Sequence, residues 1–174
     1  MCAVKRAILL ILFCSLIHPV GIAAAADEAP EKPLFPEGVV FTSLDGSGTM
    51  QIESFRGRPV LLTFWASWCG PCRVELPELD ALFKELRGRG FVLLTVNTDR
   101  NPMAGRRFLD TLGLALPVYR LDQRTIQFLG VDSLPVSILL DGEGRLVQAY
   151  KGYTPQVVED VRRLVLEMTE PGQP

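Results

Sequence analysis

Two cysteines separated by two residues, Cys69 and Cys72, stand where an apolar run gives way to a helical pattern. The run Val60-Leu61-Leu62-Thr63-Phe64-Trp65 follows Pro59 and precedes Gly70-Pro71, the signature of a buried strand. Beyond the cysteines, Leu79, Leu82, Phe83 and Leu86 recur at the spacing of one helix face. A helix start leaves backbone N–H groups without partners and carries positive potential, and both stabilise an anion. A thiolate is such an anion and is the nucleophilic form of cysteine. Strand, turn and helix together present one sulfur for attack, with a second a turn further on.

A structural staple and half of a zinc site are the competing readings of this pair. The chain-entropy model assigns the least stabilisation to the shortest crosslinked loops. Structural zinc takes four ligands. Redox chemistry needs only the two sulfurs.

Residues 1–26 have the pattern of a secretory signal peptide. Lys5 and Arg6 precede an apolar core over residues 7–17, then Pro19, Gly21 and small residues lead to Ala26, with cleavage expected before Asp27. An uncleaved membrane anchor is the alternative, because residues 7–26 approach the roughly 20 residues that span a bilayer. Pro19 and the weakly apolar alanines argue against it. Phe13, before Cys14, is not the small residue of a lipidation site. Loss of the leader removes Cys2, Cys14 and the only histidine, His18, leaving Cys69 and Cys72 as the sole cysteines. Removing 26 of the 174 residues leaves 148, with 16 basic and 20 acidic side chains, a net −4 that offers nucleic acid no basic surface. A single domain of this size buries roughly 68–70% of its unfolded surface and needs no disulfide to fold. An exported cysteine pair in such a domain serves chemistry.

Residues 27–36, with Pro30, Pro33 and Pro36, are expected to be a linker, and the domain to span 37–170. Residues 39–42 and 49–52 bracket a turn as a hairpin. The helix after the cysteines is expected to reach Arg87, to bend at Pro77 and to stop at Gly88. Residues 91–96 form a second buried strand. Asn101-Pro102 opens a helix with Phe108, Leu109 and Leu112 on its core face, ended by Gly113. A short strand at 118–121 and a helical turn at 126–129 follow. Strands at 136–140 and 146–150 flank Asp141-Gly142-Glu143-Gly144. Thr154 is the expected N-cap of a last helix, with Pro155 at its first position and Val157, Val161, Leu164, Val165 and Met168 inward.

The segment Trp-Ala-Ser-Trp-Cys-Gly-Pro-Cys, residues 65–72, with Pro77 five residues after Cys72, resembles the active-site segment of the thioredoxin superfamily. The continuation Cys72-Arg73-Val74-Glu75-Leu76-Pro77, together with the leader, is similar to the TlpA/ResA-type exported thioredoxin-like proteins over about residues 36–168. The resemblance implies an α/β fold: a thioredoxin-like three-layer α/β/α sandwich with a mixed central sheet, an N-terminal β-hairpin extension and a central αβ insertion. It implies dithiol–disulfide exchange with no cofactor and no metal beyond the Cys69–Cys72 pair.

Cys69, nearer the helix N-terminus and solvent, is the expected nucleophile, and Cys72 resolves the mixed disulfide. Gly70-Pro71 is the pair found in reducing thioredoxins, which favours the reductase direction. Glu75, three residues past Cys72, falls near the cysteine turn. The resemblance gives it a part in proton handling, and a solvated first-turn acid is the alternative. Thioredoxin has a buried Asp six residues before its first cysteine, where Thr63 stands here. Leu134-Pro135 matches the family's cis-proline, which would leave the Leu134 backbone open to an extended substrate. Trp65 is expected in the core and Trp68 on a docking surface. Trp68, Gly70, Pro71, Leu134 and Pro135 are thus the expected substrate contacts.

The function expected is an exported, periplasmic or otherwise extracytoplasmic, monomeric reductase of protein disulfides, supplied with electrons by a membrane dithiol donor. The family's tasks include cytochrome c maturation and copper-site assembly. A disulfide-forming oxidase and a Cu(I)-delivery module are the alternatives. Arg73 excludes haem attachment, which would need histidine there. Loss of His18 excludes a triad hydrolase, and the chain lacks the Thr-x-x-Cys setting of a peroxidase.

Overall fold

In the computed structural model, which describes residues 34–170, the apolar runs become the middle of one mixed sheet. Its strands are β1 (Val40–Ser43), β2 (Thr49–Gln51), β3 (Val60–Trp65), β4 (Val92–Asn97), β5 (Val118–Arg120), β6 (Val136–Leu140) and β7 (Leu146–Lys151). Their order is β2-β1-β5-β4-β3-β6-β7. β3, β4 and β5 are parallel, and the remaining pairings are antiparallel. All six residues of β3 and all six of β4 are buried. Central strands covered on both faces can be apolar throughout, which is why these two lack alternation.

The pleat sends alternate side chains to opposite faces. Leu61, Trp65, Leu93 and Leu139 meet α1 (Cys72–Leu86), α2 (Pro102–Leu112) and α4 (Pro155–Thr169). Leu62, Phe64, Leu94, Val96 and Ile138 pack on the other face with Phe35, Ile52 and Ile126 of α3 (Gln123–Phe128). The result is the expected three-layer sandwich, with the hairpin β1–β2 added at one edge and α2–β5–α3 inserted after β4. Its second helical layer is thin, because α3 has only six residues.

On α1, Leu76, Leu79, Leu82 and Leu86 are buried almost completely. Each contributes roughly 1.5–3 kcal/mol, so together they outweigh the ~3 kcal/mol that Pro77 costs by removing a hydrogen bond. The helix accordingly runs through Pro77.

Several boundaries differ from expectation. α1 ends at Leu86 and passes into a 3-10 turn, Arg87–Arg89, and the stop is Gly90, not Gly88. Gly90 has φ +87°, a left-handed conformation that costs other residues a Cβ clash. α3 begins before Ile126 because the Asp122 carboxylate accepts the Thr125 N–H (2.9 Å) and caps it. Thr154 occupies the N-cap of α4 without a side-chain cap bond; Val158 joins the buried inner face, and Leu164 and Met168 pack half-buried against it. Leu34 bridges Arg145 and Phe35 is buried, so residues 34–36 belong to the domain and not to a linker. The leader, and the linker up to Pro33, lie outside the described residues. Among the described residues no helix is long and apolar enough to cross a membrane.

Candidate active site

β3 stops at Trp65, whose carbonyl accepts the Thr98 N–H (2.9 Å) from the end of β4. The chain then turns, with the Cys69 N–H donating to the Ala66 carbonyl (3.1 Å), and α1 begins at Cys72. Cys69 therefore precedes the helix and Cys72 is its first residue. The two are joined by a disulfide with Cα atoms 5.3 Å apart. Cys72 is fully buried, whereas Cys69 keeps 5% exposure. The Cys72 N–H, the first amide of α1, donates to the Cys69 Sγ (3.2 Å). Gly70 and Pro71 are exposed beside the bridge. A Cβ on Gly70 would meet nothing within 4 Å, so the fold itself does not demand glycine there.

Glu75 is completely buried, which overturns the solvated-acid alternative. Its Oε1 accepts from Ser137 Oγ (3.1 Å) and its Oε2 from Thr63 Oγ1 (3.4 Å), while those hydroxyls lie 3.1 Å from each other. Burial pushes the carboxyl up to about 7, opposed by the hydrogen bonds from Ser137 and Thr63 and reinforced by the Glu78 charge. The carboxyl thus reaches from the helix down to Thr63. Among the described residues it makes no hydrogen bond to either sulfur.

The Leu134-Pro135 peptide is cis. The Pro135 carbonyl accepts the Gly152 N–H (2.8 Å), while the Leu134 backbone makes no hydrogen bond among the described residues. Trp68 is 73% exposed and, with Thr98, Ile126, Val131, Ser133 and Leu134, lines a shallow cleft of about 440 Å³. The structure therefore brings Trp68 and Leu134 to one surface. Trp65 is buried and stacks on Phe108 (5.7 Å, 30°), and the Arg73 guanidinium lies 4.8 Å from the same ring.

One cluster was not anticipated from the sequence. Asp99, 4% exposed, bonds both the amide and the hydroxyl of Ser67, and it also accepts from Asn97. Gly105 of α2 closes over that cluster, since a Cβ there would fall 2.6 Å from Asn97 Nδ2. A glycine inside an expected helix was the available signal, because glycine there costs about 1 kcal/mol and calls for a packing reason. Among the described residues no group of histidines, cysteines or acids has the arrangement of a metal site.

The sequence matches the AhpC/TSA family over residues 27–169. It is 30% identical over 129 residues to the thiol-disulfide oxidoreductase ResA of Halalkalibacterium halodurans, covering 72% of each chain. To ResA of Bacillus subtilis it is 27% identical over 177 residues, covering 98% of this chain and 94% of that one. A Chlorobium tepidum structure assigned as a thiol:disulfide interchange protein DsbE superposes with a TM-score of 0.72 at 26% identity, over 80% of this chain and 98% of that one. The pneumococcal exposed lipoprotein thioredoxin of Streptococcus pneumoniae superposes with a TM-score of 0.61 at 28% identity, over 76% and 99%.

Proposed function

The chain belongs to the AhpC/TSA family as a ResA/TlpA-type thioredoxin-like thiol-disulfide oxidoreductase, and we propose that it acts outside the cytoplasm as a reductase of protein disulfides. The observation that carries the residue roles is the unequal exposure of the two bonded cysteines, 5% for residue Cys69 against 0% for Cys72. In the reduced protein, the Cys69 thiolate attacks a substrate disulfide, forming a mixed disulfide and expelling one substrate thiolate. Cys72 then loses its proton and attacks the Cys69 sulfur, expelling the second substrate thiolate and closing the enzyme disulfide. Two electrons pass to the substrate, whose thiolates take up two protons.

Glu75 is the proposed acceptor of the Cys72 proton, directly or through one water. A carboxyl titrating near 7 is suited to that exchange at neutral pH. Trp68, Gly70, Pro71, Leu134 and Pro135 form the proposed contact surface, where an extended substrate can pair with the free Leu134 backbone. Gly70-Pro71 supports the reductase direction. The leader pattern and the likeness to an exposed lipoprotein support export. Cytochrome c maturation or copper-site assembly, with electrons from a membrane dithiol donor to a monomeric protein, are the tasks this family reading supports.

Equilibration with a glutathione buffer tests the direction. A potential near the roughly −270 mV of thioredoxin fits a reductase, and one near −120 mV would assign the protein to disulfide formation.

A further inference from the structure

Both oxygens of the Asp99 carboxylate are committed to the turn that presents the nucleophile. Oδ1 accepts the Ser67 hydroxyl (2.9 Å), and Oδ2 accepts the Ser67 N–H (2.9 Å) and an Asn97 Nδ2–H (2.8 Å). Ser67 lies inside the Ala66–Cys69 turn, two residues before Cys69. The Asp99 N–H donates to Asn97 Oδ1 (3.3 Å), and Arg120 Nη2 donates to the Asp99 carbonyl (3.3 Å). The C-terminal ends of three parallel strands thus converge on one buried residue. From above, Gly105 covers the Asn97 amide, where a Cβ would fall 2.6 Å from Nδ2 and force that amide to shift.

We infer that Asp99 is a positioning residue for the exchange reaction: its grip on Ser67 holds the turn that sets the Cys69 sulfur against the first amide of α1. The inference rests on the proposed role of Cys69 as nucleophile. In the disulfide form the Cys72 N–H lies 3.2 Å from the Cys69 Sγ. A thiolate formed on reduction gains from that amide only while the turn keeps the two together, because hydrogen bonds weaken steeply when their geometry is lost. Without Asp99, the turn keeps the Cys69 N–H to Ala66 carbonyl bond but loses both bonds that fix Ser67. The sulfur would then leave the helix terminus part of the time, and its thiolate would lose that stabilisation.

Asp99→Ala and Asp99→Asn separate grip from charge. The asparagine oxygen can accept from both the Ser67 and Asn97 N–H groups, while its amide donates to the Ser67 hydroxyl. It therefore preserves the grip without the charge. The measurement is the pH dependence of iodoacetamide alkylation of Cys69 in the reduced full chain, with the labelled residue located by mass spectrometry.

Asp99→Ala should move the midpoint up by about one pH unit, which is a roughly tenfold loss of thiolate below it. Asp99→Asn should not show that rise. An unchanged midpoint in Asp99→Ala, whatever its stability, would reduce Asp99 to a strut. A rise in Asp99→Asn as large as in Asp99→Ala would overturn the grip. If Asp99→Ala does not fold, Ser67→Ala and Gly105→Ala carry the test: each should raise the midpoint by a smaller amount, and no movement in either rejects the inference. Alkylation needs no protein substrate, so a failure of the parent protein to reduce protein disulfides would reject the proposed function and leave this result standing.

Discussion

Replacing Glu75 with glutamine should change how stability depends on pH, and the size of the change follows from the site. The carboxyl titrates near 4.5 in an unfolded chain and about 7 in the folded one, mainly because burial disfavours its charge. Between those values the folded state holds more protons than the unfolded state, so stability falls as pH rises. The contribution is complete below 4.5 and is lost as pH passes through 7. A displacement of about 2.5 pH units at 1.36 kcal/mol each amounts to about 3 kcal/mol. Glu75→Gln has no charge to lose, and its amide can still meet the Ser137 and Thr63 hydroxyls. Urea unfolding of both proteins with the disulfide intact, at pH 4 and at pH 8, isolates this effect, because any pH-independent cost of the amide cancels. The variant should gain about 3 kcal/mol on the parent between pH 4 and pH 8. A difference that stays constant within about 0.5 kcal/mol would show that the Glu75 carboxyl is not held protonated by its surroundings.

Gly105→Ala should lower stability by about 1–3 kcal/mol in urea titration, although alanine is the better helix former, because its Cβ lands on Asn97. Leu82→Ala, which empties a fully buried site under α1, should cost about 3 kcal/mol in the same assay. Trp68→Ala should leave stability within about 0.5 kcal/mol, since the ring is mostly exposed. Its rate with a protein disulfide should nevertheless fall roughly tenfold through KM, as expected for loss of an aromatic contact, while a small-molecule disulfide is reduced as before.

The strand–turn–helix frame was legible in the sequence because its signals are local. β3, β4 and β6 are apolar runs, α1 repeats leucines along one face, and Asn101 and Gly113 mark the ends of α2. Cys69 and Cys72 announce themselves by spacing. The surroundings of Glu75 were not legible, because Thr63 and Ser137 come from strands 12 and 62 residues away in the chain. Position within a first helical turn fits a solvated acid equally well, and only tertiary packing buries it. Asp99 escaped for the same reason: its partner Ser67 is 32 residues distant. The misplaced helix stop had a different cause. Gly88 and Gly90 are equivalent in composition, and only the backbone conformation of the second distinguishes them.

The most direct test of the account is to purify Cys72→Ser and Cys69→Ser proteins and expose each, reduced, to a disulfide-bonded polypeptide. With Cys72 removed, the mixed disulfide on Cys69 should persist and be released by added dithiol. With Cys69 removed, the buried Cys72 should form almost none. A stable adduct on Cys72 alone, or none on either variant, would contradict the exchange chemistry assigned to this site.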